Sequence, residues 1–265
     1  FCIMKIDFHK YQGTGNDFVI LDNREGNYAD LAMDRIKLLC DRRFGIGADG
    51  LLLLNQKEGY DFEMVYYNAD GREGSMCGNG GRCLVKFASH TSHPKNEYSF
   101  LASDGQHQAK MDDTGVVKLK MKDVKEIVEY HGDFILNTGS PHYVKMVSNL
   151  MQYDVFHKGM DIRNHPDFAK EGINVNFVEQ KKADEIMVRT YERGVEDETF
   201  SCGTGVTACA LVNHHNELGY NDVSVITKGG RLVVEFDRVG ENQFENIWLC
   251  GPAEKVFDGV FELST

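Results

Sequence analysis

Short runs rich in Val, Ile, Phe and Tyr recur along the chain and read as β-strands. In the first half they fall at Lys5 to His9, Phe18 to Asp22, Leu51 to Leu54, Phe62 to Tyr67, Tyr98 to Ala102, Gln106 to Met111 and Val116 to Met121. Helical periodicity is rarer. It predicts one helix over Asp30 to Arg42, with Met33, Ile36, Leu39 and Cys40 toward the core, and another after Cys77, with Gly80, Cys83, Leu84, Phe87 and Ala88 on one face. The pattern then starts again. Strands are predicted at Phe134 to Leu136, Tyr143 to Val147, Val175 to Glu179, Ile186 to Tyr191, Val223 to Thr227, Leu232 to Phe236 and Ile247 to Cys250. Among them a helix follows Cys202, with Val206, Cys209, Ala210 and Asn213 on one face.

Many short strands with one main buried helix per half give an α+β class. The expected architecture is two similar domains, each a mostly antiparallel sheet or barrel wrapped around a central helix, with the active site in the cleft between them. No Pro/Gly/Ser linker separates the halves. The charged stretch Lys122 to Glu129 is the softest boundary, placing domains at residues 1–124 and 125–257.

Bulk properties narrow the function. At 265 residues, 42% hydrophobic and 26% charged, the chain has the composition of a soluble globular protein. No apolar run approaches a membrane span, so no membrane partner is expected. The formal charge of −12 and the lack of a Lys/Arg stripe argue against nucleic acid. Seven cysteines, with neither a CxxC nor a zinc-type Cys/His spacing, make a disulfide framework or metal site unexpected. Reduced thiols and the absence of a signal-peptide pattern point to the cytoplasm. The three residues before Met4, Cys2 among them, read as foreign to the fold.

Two cysteines sit in near-copies of one phrase: Ser75-Met76-Cys77-Gly78-Asn79-Gly80 and Phe200-Ser201-Cys202-Gly203-Thr204-Gly205. Each runs directly into helical periodicity. A helix start binds anions through its outward N–H groups and favours a thiolate over a thiol. A single cysteine in such a place is more often a small buried residue; the duplication argues for paired chemistry, one base and one acid on opposite faces of a carbon. Cys40, Cys83, Cys209 and Cys250 are expected in the core, as small hydrophobes. Two literal dinucleotide fingerprints, at Gly45 to Gly50 and Gly203 to Ala208, fail on context, because neither follows a strand and opens a helix.

Asn16, Asn68, Asn174 and the pair Glu192-Arg193 are expected just after strands or beside the thiol loops. Singly, each is an ordinary turn residue. Yet Glu192-Arg193 precedes Cys202 much as Asn68 precedes Cys77, and the mixture suits a small ligand bearing carboxylate and ammonium groups.

The segments Gly13-Thr14-Gly15-Asn16-Asp17-Phe18, Arg43 to Gly50, Asn68-Ala69-Asp70-Gly71, Cys77 to Cys83, Tyr191-Glu192-Arg193-Gly194, Cys202-Gly203-Thr204-Gly205 and Gly251-Pro252-Ala253 resemble diaminopimelate epimerase, in the same order and over nearly the whole chain. The resemblance implies a cofactor-independent amino-acid epimerase that interconverts LL- and meso-diaminopimelate in lysine and peptidoglycan precursor synthesis, often as a homodimer. It also implies a final strand, about 258–265, that returns to the first domain.

It further implies roles for individual residues. Cys77 and Cys202 exchange a proton with the α-carbon. His142 and Glu192 are partners for one thiol. The backbone around Gly78, Asn79, Gly203 and Thr204 holds the reacting carboxylate, as an oxyanion hole would. Asn16 sits near the reacting end, and Asn68, Asn174 and Arg193 recognise the distal carboxylate and amine. Many members carry Asn where this chain has Ser140, and some carry Gln where it has Gly50, so those contacts are expected to be shortened or missing. The alternatives are another two-cysteine racemase, such as a proline racemase-like enzyme, a thiol redox protein cycling through a Cys77–Cys202 disulfide, and a binding module without turnover.

Overall fold

The computed structural model describes residues 3–91, 94–214 and 217–264, so Cys2 lies outside the described residues. The chain forms two compact units, residues 1–119 with 252–265, and residues 120–251. The expected division was at 124/125 with a return near 258. Residues 121–124 join the second unit through the Met121 N–H to Ile247 O bond (2.9 Å) and the pairing of Val124 with Phe244.

The first unit contains β1 (Ile3–Gly13), β2 (Asn16–Asp22), helix α1 (Met33–Cys40), β3 (Gly50–Asn55), β4 (Phe62–Asn68), helix α2 (Gly78–Thr91), β5 (Glu97–Ala102), β6 (Gly105–Met111) and β7 (Val117–Lys120). The second contains β8 (Val128–Tyr130), β9 (Asp133–Asn137), β10 (Pro141–Met146), helix α3 (Val155–Arg163), β11 (Asn174–Lys182), β12 (Glu185–Glu192), β13 (Asp197–Thr199), helix α4 (Gly203–Val212), β14 (Gly219–Thr227), β15 (Gly230–Gly240) and β16 (Gln243–Gly251). The last strand, β17 (Glu254–Ser264), pairs antiparallel with β1.

The two units share one topology. In the first, the order β17-β1-β2-β3-β4-β5-β6-β7 is antiparallel except at β2/β3 and β4/β5, which are parallel. In the second, β8-β9-β10-β11-β12-β14-β15-β16 is antiparallel except at β10/β11 and β12/β14. Each parallel pair needs a crossover, and a helix supplies it. The sheets are open rather than closed barrels.

The crossovers explain the burial. Gly80 of α2 approaches Phe18, Leu52 and Met64, whereas Val19, Leu21, Leu51 and Leu53 pack with Ile36 and Leu39 of α1. Strands β2 and β3 are thus covered on both faces and read as continuous apolar runs. Helix α4 is buried almost all round, from Val206 through Leu211.

Four elements differ from expectation. Helix α1 is shorter than predicted because Asp41 Oδ1 accepts from the N–H groups of Arg43 and Phe44 (both 2.7 Å), an Asx turn that competes with further helix, and Met33 faces solvent. Helix α3 was not predicted: its buried residues are Val155 and Gly159, and a glycine carries no apolar signal. Strands β8 and β13 are three residues each in charged surroundings.

The second unit is clamped by Arg189. Its guanidinium holds Glu198 bidentately (2.6 and 2.7 Å) and donates to the carbonyls of Leu150 and Tyr153 (2.8 and 2.9 Å). Burial raises the Glu198 pKa, but the Arg189 and Lys228 charges outweigh it and leave it below the ordinary value. A depressed carboxylate pKa gives stability that is complete above the unfolded pKa and lost as pH falls through the folded one. Arg189→Met is expected to cost about 3–5 kcal/mol near neutral pH, with a smaller deficit in acid once Glu198 protonates. Urea unfolding followed by Trp248, the only tryptophan of the chain and a residue of this unit, checks both; an unchanged midpoint would refute the clamp.

Candidate functional site

In the first unit Cys77 stands immediately before α2. Its carbonyl accepts from the Gly81 N–H (2.7 Å), so it is the N-cap, and the N–H groups of residues 78–80 point out of the helix end. The β1/β2 hairpin delivers Asn16 to this point. Its two turn residues, Thr14 (φ 51°) and Gly15 (φ 82°), are both left-handed, as a tight twisted hairpin demands. For Thr14, which is β-branched, that conformation is strained. Arg82, fully buried, holds it by donating to Thr14 Oγ1 (3.1 Å) and also donates to Asn79 Oδ1 (3.0 Å).

A side-chain chain results. Asn79 Nδ2 donates to Asn16 Oδ1 (3.2 Å), the Cys77 thiol lies 3.6 Å from the same oxygen, and Asn16 Nδ2 donates to Asp49 (2.8 Å). Arg42 bridges Asp49 (2.8 Å) and Asp17 (2.6 Å), and Lys10 also meets Asp17 (2.7 Å). Burial raises the Asp17 pKa, but the bonds from Arg42 and Lys10 outweigh it and hold it at about 2. Asn68, at the end of β4, is exposed and donates to Arg72 O (3.4 Å).

The second unit repeats the mouth. Cys202, 8% exposed, is the extended N-cap of α4, and its carbonyl accepts from the Val206 N–H (2.8 Å). Its sulfur lies 3.5 Å from Thr204 Oγ1, and Thr138 Oγ1 donates to Thr204 O (2.8 Å). Gly205 sits so close to Asn176 that a Cβ would fall 2.4 Å from Oδ1. That oxygen cannot retreat easily, since it accepts from Thr190 Oγ1 (2.9 Å) while Nδ2 donates to Tyr143 O (2.9 Å) and faces His142 Nδ1 (3.1 Å).

These bonds assign His142. Because Asn176 offers an N–H, His142 Nδ1 accepts and the proton resides on Nε2. The ring is fully buried; burial, and then the Arg193 charge, lower its pKa to about 3, so it is neutral at physiological pH. Nε2 has no hydrogen-bond partner among the described residues.

Nearby, Asn174, Ser140 and Arg193 come together. Asn174 Nδ2 donates to Ser140 Oγ (2.9 Å), its Oδ1 accepts from the Arg193 N–H (2.9 Å), and Arg193 Nη2 donates to Ser140 Oγ (3.3 Å). Arg193 Nη1 is braced by Glu171 O (2.9 Å). Glu192 accepts from Thr199 Oγ1 (2.9 Å). Asn16 and Asn174 each open a strand rather than follow one. At Gly50 an added Cβ would lie 2.5 Å from the Tyr66 ring.

Sequence reasoning gave no role to Thr14, Asp49, Arg82, Asn176 or Thr190. The only signal for them was position: Arg82 lies five residues beyond Cys77, inside the segment Cys77 to Cys83, and Asn176 and Thr190 are polar residues at inward positions of apolar strands. Cys40, Cys83, Cys209 and Cys250 are buried as expected, and burial raises the thiol pKa of Cys40 to about 12 and those of Cys83 and Cys209 as well. Among the described residues no cluster could hold a metal ion, no helix is long and apolar enough to cross a membrane, and no cysteine is in a disulfide.

The family model described as diaminopimelate epimerase matches residues 8–127 and 134–256. A protein named diaminopimelate epimerase from Flavobacterium psychrophilum is 48% identical over 94% of this chain and 98% of its own length; one from Chlorobaculum tepidum is 41% identical over 95% and 99%. Among solved structures, a Bacillus anthracis phenazine biosynthesis protein of the PhzF family aligns with a TM-score of 0.75 at 14% identity, covering 99% of this chain and 100% of that one. A hydroxyproline epimerase from Agrobacterium vitis gives 0.69 at 13%, covering 98% and 93%. At such identities the structural likeness concerns the fold alone. With two thiols capping duplicated helix mouths and relatives matched from end to end, the chain belongs to the diaminopimelate epimerase family.

Proposed function

We propose that the protein interconverts LL- and meso-diaminopimelate, an isomerisation serving lysine and peptidoglycan precursor synthesis, with Cys77 and Cys202 as the two proton-transfer groups. The observation that carries this reading is the duplicated N-cap thiol, each beside outward-pointing N–H groups. In each direction one cysteine, as thiolate, removes the α-proton, and the other, as thiol, delivers a proton to the opposite face. The N–H groups of Gly78, Asn79, Gly203 and Thr204 take the reacting carboxylate as charge grows on it. No cofactor enters the scheme; the electrostatics of the helix mouths substitute for one.

The Asn174–Ser140–Arg193 cluster is proposed to receive the distal zwitterion, with Arg193 presenting its fork to a carboxylate, and Asn68 and Glu192 completing recognition. Neutral His142 offers Nε2–H as a donor beside the second mouth. Reduced cysteines fit a cytoplasmic enzyme. For a homodimer we favour β17, the outermost strand of the first unit, which exposes Val256, Phe257 and Val260.

Incubated in D₂O with LL-diaminopimelate, the protein should place deuterium at the α-carbon as meso product appears. Cys77→Ala and Cys202→Ala should each lower epimerisation by about 10²–10⁴-fold; a single variant that epimerises at the wild-type rate would exclude the two-base scheme, and exchange with L-proline instead of diaminopimelate would move the protein to another racemase activity. Arg193→Lys keeps the charge but loses the fork, and should weaken substrate use by about 10–100-fold in kcat/KM, carried mainly by KM. Val260→Lys should shift sedimentation from dimer to monomer; sedimentation of the unaltered protein as a monomer would discard the dimer.

A further inference from the structure

The side-chain chain behind Cys77 has a fixed polarity. A guanidinium only donates, so Asn79 must turn its oxygen to Arg82 (3.0 Å) and its Nδ2 to Asn16 (3.2 Å). A carboxylate only accepts, so Asn16 must turn its Nδ2 to Asp49 (2.8 Å). Both ends therefore dictate the same result: the atom that Asn16 presents to the Cys77 sulfur, 3.6 Å away, is Oδ1, an acceptor without a proton. A thiol can donate to that oxygen, whereas a thiolate would face its lone pairs. The second mouth is built from different side chains. Phe18 pairs with Gly50 as His142 pairs with Asn174, a shift of 124 positions (142 − 18) that matches position 140 to Asn16; position 140 is a serine engaged with Asn174 and Arg193, and a near polar neighbour of Cys202 is the Thr204 hydroxyl (3.5 Å), which can donate to a thiolate.

We propose that Asn16 is a positioning residue for Cys77: with its amide orientation set by Asp49 at one end and by Arg82 through Asn79 at the other, it holds Cys77 as the protonated thiol in the free protein. The inference rests on the two-thiol reading and adds which partner starts as the acid. In that form Cys202 carries the thiolate, and the α-proton it removes is matched by the proton that Cys77 gives up, so one turnover leaves the two roles exchanged. The charged and titratable groups around this network are Lys10 on β1, Asp17 on β2, Arg42 and Asp49 in the loop between α1 and β3, and Arg82 with the Cys83 thiol on α2. Asn16 is neutral, so Asn16→Leu removes the acceptor without adding or removing a charge, whereas Asn16→Asp adds a negative one.

The test is the pH dependence of iodoacetamide alkylation in the full-length, substrate-free protein, followed peptide by peptide by mass spectrometry so that Cys77 and Cys202 are read separately. The expected result is a Cys77 midpoint about one pH unit or more above that of Cys202, a tenfold difference in thiolate fraction. Asn16→Leu should bring the Cys77 midpoint down, and Asn16→Asp should raise it. A Cys77 midpoint at or below that of Cys202, or one that Asn16→Leu leaves in place, overturns the proposal. Should Asn16→Leu not fold, the infrared S–H stretching band at neutral pH decides: Cys77→Ser must remove intensity from it, and an unchanged band is the contrary result. Alkylation needs no turnover, so a protein that shows the midpoint order but no α-proton exchange would retain this assignment while losing the epimerase reading.

Discussion

The first-turn N–H groups of α2 and α4 have no carbonyl to meet inside their own helices, and each helix start rests a glycine close against the strands beneath: a Cβ at Gly80 would meet Leu52 and Met64 at 3.3 Å, and one at Gly205 would fall 2.4 Å from Asn176 Oδ1. That closeness is the constraint from which the site follows. Glycine at 80 and 205 lets the helix end settle onto the strands beneath it, so that the cysteine before each helix is held at the mouth rather than swung into solvent. Because the sheet is drawn around the helix, its middle strands are covered on both faces. Residues at the ends of those strands, at the rim of the mouth, are the ones to which ligand recognition is proposed to fall.

The strand register shows how far the duplication reaches. Phe18 pairs with Gly50 and Gly50 with Asn68 in the first unit, while His142 pairs with Asn174 in the second. A shift of 124 positions (142 − 18, 174 − 50) carries the first set onto the second, and also carries Asn16 onto Ser140, Asn68 onto Glu192, Leu52 onto Asn176 and Tyr66 onto Thr190. The first set is thus Phe18, Leu52 and Tyr66, of which Phe18 and Leu52 meet Gly80 of α2 and Phe18 and Tyr66 are in edge contact at 6.1 Å, and the second is His142, Asn176 and Thr190 in a hydrogen-bonded chain whose Asn176 meets Gly205 of α4. One fold carries two mouths, one over an apolar bed and one over a buried polar network. The polar bed commits its own groups: Asn176 spends its amide on Tyr143, Thr190 and His142, and the histidine stays neutral because burial forbids its charge.

Much of this was legible in the sequence because it depends on composition at fixed spacing. The paired phrases at Cys77 and Cys202 announced two N-cap thiols, and the apolar runs announced the covered strands. What escaped notice had physical reasons. Helix α3 buries one face through Gly159, which no hydrophobic pattern records. Arg82 reads as a surface charge until the helix is seen to point it at Thr14 and Asn79. Asn176 and Thr190 look like interruptions of apolar strands, since their value lies in a bonded geometry that sequence spacing does not encode.

The two departures from the family pattern look alike in sequence and differ in structure. At position 50 the space a side chain would need is filled by Tyr66, which packs on Phe18, so glycine there belongs with the apolar floor and a longer residue would have to displace the ring. At position 140 the serine hydroxyl accepts from both Asn174 and Arg193. An asparagine at that place would carry its polar atoms farther out; the short hydroxyl instead ties Asn174 to the guanidinium and braces the Arg193 fork from one side, as the Glu171 carbonyl does from the other. The distal subsite proposed above therefore draws its order from its own internal bonds, and the reach lost at Ser140 would return as preorganisation of Arg193, lowering the entropy to be spent on binding a carboxylate there.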